Sequence, residues 1–191
     1  MKKNLYIISG CNGAGKTTAS YTVLPEILQC KEFVNADEIA KGLSPFNPES
    51  VAIEAGRIML SRIEDLLNRN ETFSIETTLA TKSYINLIRK AHDKGYCVHL
   101  IFFWLETPEL AIQRVAERVS NGGHNIPTDV IQRRYIAGIR NMFNLFMEEV
   151  DLWAIYDNSR NPRAIIASGG KTVDFKIYSE ITYNKIKNYV K

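Results

Sequence analysis

The chain has 191 residues, 45% of them hydrophobic and 24% charged, with a formal net charge of +3. That length suits one well-buried core and is small for two, and the composition is that of a globular domain, not of a disordered or fibrous chain. So slight a charge gives no electrostatic case for a nucleic-acid or membrane partner, and three cysteines without metal-ligand spacing point to a reducing cytoplasm, not a disulfide scaffold.

In chain order, the apolar run Leu5–Ser9 ends at Gly10 and reads as a buried strand. With Met1-Lys2-Lys3 before it, this run is too short for a signal peptide, and no stretch approaches a membrane span. Lys16 to about Gln29 is the helix that follows, and Phe33–Asn35 is a second strand with Asp37 just past its end. Asn47-Pro48-Glu49 supplies a cap, a first-turn proline and an acid, so a helix is expected from there to about Asn68. Thr72–Glu76 is a third strand, followed by a polar turn and a helix that Gly95 ends.

Tyr96–Trp104 carries the strongest strand pattern. Thr107-Pro108-Glu109 caps a helix to about Ser120, and Thr128-Asp129 caps another to about Glu149. Trp153–Tyr156 is a fifth strand; Arg163–Ala167 and Thr172–Tyr178, joined by Gly169-Gly170, read as a hairpin before a last helix at Ser179-Glu180. The expected fold is α/β: a parallel sheet of about five strands with helices on both faces, then a C-terminal hairpin and helix. With no repeat, linker or low-complexity segment, residues 1–191 are one domain, with a lid over about 118–134.

The segment Gly10-Cys11-Asn12-Gly13-Ala14-Gly15-Lys16-Thr17 follows a strand and opens a helix, the setting a phosphate-binding P-loop requires. Loop N–H groups and the free helix end converge on one place and favour an anion there. These residues, with Thr18, are expected to hold ATP, Lys16 bridging the β- and γ-phosphates and the Thr17 hydroxyl on Mg²⁺. Asp37 and Glu76 each end a strand on the edge where open α/β sheets bind ligands. Asp37 there either takes the proton of an acceptor hydroxyl or caps the helix beginning at Glu38-Ile39; Glu76 either holds Mg²⁺ through water or is a solvated strand-end acid.

Residues 121–127 contain Gly122 and Gly123 and join two helices that carry arginines. Arg114 and Arg118 share a helix face. On the next helix Ile131, Tyr135, Ile139, Met142 and Phe146 form the core face, which Arg134 flanks and from which Arg133 and Arg140 point away. Arg114, Arg118 and Arg134 are therefore the candidates for neutralising a phosphoryl group in transfer, against the plainer reading of solvated helix arginines. Asp157-Asn158-Ser159 ends a strand and reads either as the lining of an adenine pocket or as a turn.

Gly10–Thr17, then Val34-Asn35-Ala36-Asp37-Glu38-Ile39, then Ser74-Ile75-Glu76-Thr77-Thr78, then the arginine-bearing lid together resemble the zeta toxin family of small kinases, in a short branch. The resemblance implies phosphorylation of a hydroxyl of a UDP-N-acetyl amino sugar by ATP, and an antitoxin-like small protein as partner. It also implies Asp37 as base, Glu76 and Thr78 as contacts to substrate or metal-bound water, and Arg114 as one of the charge-stabilising arginines. The chain departs from the family at Leu79-Ala80, where an arginine is common, and at His124-Asn125, where an arginine precedes Thr-Pro. The expected activity is ATP- and Mg²⁺-dependent phosphoryl transfer to a small hydroxyl-bearing molecule; an ATP hydrolase and a non-catalytic ATP-binding module are the alternatives.

Overall fold

The computed structural model describes residues 3–123 and 125–190; Met1, Lys2, His124 of the connector and Lys191 lie outside the described residues. Seven strands form one sheet in the order β2-β3-β1-β4-β5-β6-β7. They are β1 Asn4–Gly10, β2 Glu32–Val34, β3 Phe73–Thr77, β4 Cys97–Trp104, β5 Leu152–Asp157, β6 Ala164–Gly170 and β7 Val173–Ile177. The first five pair in parallel, and β6 and β7 extend the same sheet antiparallel. Along β1 every residue from Leu5 to Gly10 is buried. Successive side chains point to opposite faces, so both faces of the sheet are covered, and the unbroken apolar run in the sequence follows from that.

The helices are α1 Lys16–Thr22, α2 Ala36–Leu43, α3 Ala52–Asn68, α4 Tyr84–Asp93, α5 Pro108–Ser120, α6 Thr128–Asn141, α7 Met147–Glu149 and α8 Glu180–Lys187. Pro25, which has no N–H to give, sits in a π turn Val23–Ile27 that prolongs α1, and a second π turn, Met142–Phe146, joins α6 to α7. The core face read from the sequence is buried throughout: Ile131, Tyr135 and Ile139 on α6, and Met142 and Phe146 in the π turn after it. The Tyr135 hydroxyl donates to the Leu105 carbonyl at 2.7 Å, which satisfies it inside the core. Among the described residues no helix is long and apolar enough to cross a membrane.

Four local expectations need correction. Gly169-Gly170 is not the hairpin turn: both residues lie in β6, and the turn is Lys171-Thr172. A Cβ on Gly169 would fall 2.8 Å from the Trp153 ring, so the glycine is there for a close approach. The N-cap of α2 is Asn35, whose side chain accepts from the N–H groups of Asp37 and Glu38, leaving Asp37 within the first turn. A 3₁₀ turn, Pro48–Val51, precedes α3, and Asn47 makes no side-chain cap bond. Helix α6 is entered through Pro127, with Thr128 already helical and Asp129 in the first turn.

Winding outward from β1 to β3 and β2 on one side, and to β4 and β5 on the other, brings the carboxyl ends of β1 and β3 together. The register sets Ile8 beside Glu76 and Ser9 beside Thr77. Helix α6 packs against the loop after β3 through Gly138, where a Cβ would lie 2.5 Å from the Thr78 carbonyl oxygen. A mid-helix glycine is unfavourable by about 1 kcal/mol relative to alanine. Here it lets the helix touch backbone.

Candidate functional site

The loop between β1 and α1 closes on itself through the Ala14 N–H, which donates to the Cys11 carbonyl at 3.2 Å. Gly13 and Gly15 take left-handed φ of 77° and 75°, so the peptide turns tightly and delivers Lys16 to the start of α1. The Lys16 side chain is only 7% exposed; its ammonium donates to the Cys11 carbonyl at 3.0 Å and lies 3.6 Å from Glu76 Oε1. The Thr17 hydroxyl donates to Glu76 Oε2 at 2.8 Å. One strand-end carboxylate thus bridges both side chains that a P-loop turns toward phosphate. Burial within the loop pushes the Cys11 thiol up to about 11, so it stays protonated at neutral pH.

This floor opens into a cleft of about 690 Å³. One wall comes from α2 and the turn after it, with Asp37, Glu38, Lys41 and Glu49. Glu38 and Lys41 are paired at 2.6 Å, whereas the exposed Asp37 carboxylate makes no hydrogen bond or ion pair among the described residues. The other wall comes from α5, α6 and the connector between them: Arg114, Arg118 and Arg134, with Ile126 of the connector and Val130 as its apolar part. Arg134 reaches the loop, donating to Asn12 Oδ1 at 3.3 Å. Arg114 donates to the carbonyls of Asn158 and Ser159 at 2.8 and 2.9 Å. Arg133 is exposed, and Arg140 donates to the Tyr189 carbonyl at 3.0 Å, away from the cleft.

Of the residues singled out in the sequence, Asn12, Gly13, Gly15, Lys16, Thr17, Thr18 and Glu76 line the floor, and Asp37, Arg114, Arg118 and Arg134 line the walls. Gly10, Cys11 and Ala14 are buried and do not line it. Neither does Thr78, whose hydroxyl receives the Ala80 N–H at 3.5 Å. Asn158 does not line the cleft either; its amide donates to the Ala14 carbonyl at 2.7 Å. Glu38, Lys41 and Glu49 were not anticipated, though Lys41 follows Asp37 by one helical turn and so shares its face.

Among the described residues no group of three or more His, Cys, Asp or Glu side chains could hold a metal ion unaided. Thr17 and Glu76 do offer two hard oxygens 2.8 Å apart. That suits Mg²⁺, which takes one or two protein oxygens together with phosphate and water.

The sequence model of the zeta toxin family matches residues 1–163. An uncharacterised protein of Haemophilus influenzae is 30% identical over 135 residues, 71% of this chain and 94% of that protein. Among solved structures, a chain of the AvrRxo1-ORF1:AvrRxo1-ORF2 complex with sulphate ions is 17% identical with a TM-score of 0.77, the match covering 97% of this chain. The same complex with ATP gives 0.75. This chain spans 63% of the length of that relative. A chain of the PezAT chromosomal toxin–antitoxin system of Streptococcus pneumoniae is 18% identical with a TM-score of 0.66, covering 98% of this chain and 84% of that one.

Proposed function

This chain belongs to the zeta toxin family, and on that premise we propose that it transfers the γ-phosphate of ATP, with Mg²⁺, to a hydroxyl of a small molecule. The observation that carries the reading is the division of the cleft. Lys16, Thr17 and Glu76 form its floor, an unpaired Asp37 stands on one wall, and three arginines stand on the other. A module that only binds nucleotide needs no such opposition of base and cations.

In this reading Lys16 exchanges Glu76 and the Cys11 carbonyl for phosphate oxygens, a short movement for a side chain already on the floor. Mg²⁺ held by Thr17 and Glu76 would neutralise phosphate charge and align the transferring group. Asp37 orients the acceptor hydroxyl and accepts its proton as the new oxygen–phosphorus bond forms and the β–γ bond to ADP breaks. An ordinary carboxylate suffices, because in a loose transition state the proton leaves late. Arg114, Arg118 and Arg134 meet the negative charge spread over the outer oxygens.

For the acceptor, family membership favours a UDP-N-acetyl amino sugar. The relation to PezAT, a toxin–antitoxin system by name, favours an antitoxin-like protein as partner. Three free, buried cysteines and the use of ATP favour a cytoplasmic site of action. The test is to incubate the protein and Mg²⁺ with γ-labelled ATP, with and without UDP-N-acetylglucosamine or a metabolite extract. Label should move to an acid-stable ester on the acceptor. Release only as inorganic phosphate would make it a hydrolase, and binding without turnover a nucleotide-binding module.

A further inference from the structure

The turn at the end of β5, Asp157-Asn158-Ser159, has no task in the scheme above, yet it touches the P-loop, α5 and the end of β4. The Asn158 amide nitrogen lies 2.7 Å from the Ala14 carbonyl oxygen. A carbonyl only accepts, so this contact fixes which end of the amide faces the loop. The Asn158 N–H donates to the Trp104 carbonyl at 2.9 Å, and its own carbonyl receives Arg114 at 2.8 Å. Ser159 Oγ accepts the Glu106 N–H at 2.8 Å and the Ser159 N–H donates to Asp157 Oδ1 at 2.8 Å, so the turn is held at both ends. A Cβ on Gly15 would come within 2.6 Å of Asn158 Nδ2, which places the amide directly against the loop.

Resting on the ATP reading, we infer that Asn158 is a positioning residue, one that fixes the peptide between Ala14 and Gly15 in the orientation that receives phosphate. A trans peptide is planar, so its C=O and N–H point in opposite directions. With the Ala14 oxygen turned to Asn158, the Gly15 N–H is turned away from it. Gly15 lines the cleft, and its N–H has no partner among the described residues. Rotating this peptide changes ψ of Ala14 and φ of Gly15, and the glycine, at a left-handed φ of 75°, tolerates values on either side of zero. Rotated, it would present a carbonyl oxygen to an anion in place of a donor. The Asn158 amide removes that alternative without touching the ligand, and every substitution of its side chain leaves the backbone carbonyl that anchors Arg114.

The experiment compares wild type with Asn158→Leu, which keeps the volume and removes the donor, and with Asn158→Ala. Calorimetry reads binding of ATP and of pyrophosphate to the full chain, and steady-state kinetics reads KM for ATP and for the acceptor. One neutral hydrogen bond translates into a loss of roughly five- to tenfold in affinity. Both variants should lose that much for ATP and for pyrophosphate. KM for ATP should rise in parallel, with acceptor KM and kcat within about threefold of wild type. A purely structural role would instead lower the melting temperature and leave pyrophosphate affinity unchanged in the folded fraction. Wild-type pyrophosphate affinity in either folded variant overturns the inference alone. Failure of the wild type itself to bind ATP or pyrophosphate overturns the ATP reading, and the inference with it.

Discussion

Removing the Lys16 ammonium takes away the cation on the floor and leaves the Glu76 carboxylate facing the phosphates uncompensated. Lys16→Ala should therefore lower ATP affinity by on the order of a hundredfold, as the loss of a charge-assisted contact plus a new repulsion implies. Titration calorimetry checks it, and unchanged affinity in a folded variant rules out the P-loop assignment. Asp37→Asn should behave differently. Asn35 does the capping, so the substitution forfeits at most about 1 kcal/mol of helix-dipole interaction. ATP affinity should hold while turnover falls by orders of magnitude; near-normal turnover would move the role of base to another carboxylate. Both positions were legible in the sequence because strand-end acids and a glycine-rich strand–helix turn follow from backbone geometry. The cap was not, because Asn35 reads equally well as the last residue of β2.

Helix α6 was legible in its register: a core face repeating at helical spacing leaves only certain arginines able to face the cleft. Alanine replacements should accordingly split the set. At least one of Arg114, Arg118 and Arg134 should lose about a hundredfold or more in turnover with ATP affinity little changed, and Arg133 and Arg140 should stay within a few-fold. Kinetics of the five single variants decides it, and a dominant Arg133 or Arg140 would contradict the register. What no periodicity announces is a contact between distant elements. Asn158 and Ala14 are 144 residues apart, and Asn158 reads locally as turn or pocket chemistry. Gly169-Gly170 misleads for the same reason: paired glycines signal a turn, whereas here the Trp153 ring demands a small residue at 169 and the Asp151 carbonyl one at 170.

At the scale of the whole molecule, Asp151 joins elements that the sequence keeps far apart. Its carboxylate accepts the Val98 N–H of β4 at 2.7 Å and contacts His92 of α4 at 2.9 Å and Lys171 of the hairpin turn at 3.7 Å. Burial pushes the Asp151 carboxyl up, but these partners outweigh it and hold it below the ordinary value of 3.8. The stability it contributes is complete above that ordinary value and is lost as pH falls through the lowered one. In thermal melts from pH 7 down to about 2.5, Asp151→Asn should be less stable than wild type at neutral pH, with the gap closing below about pH 4. A gap independent of pH would mean that the charge contributes nothing. Gly138, seated on the Thr78 carbonyl, would be the fixed point of any rocking of α6. Measured along α6, Arg134 stands about 6 Å from it and the helix tip at Thr128 about 15 Å. A rocking of about 10° would sweep the tip by roughly 2.6 Å but Arg134 by only about 1 Å, so the helix end would travel much farther than the charge that meets the phosphate.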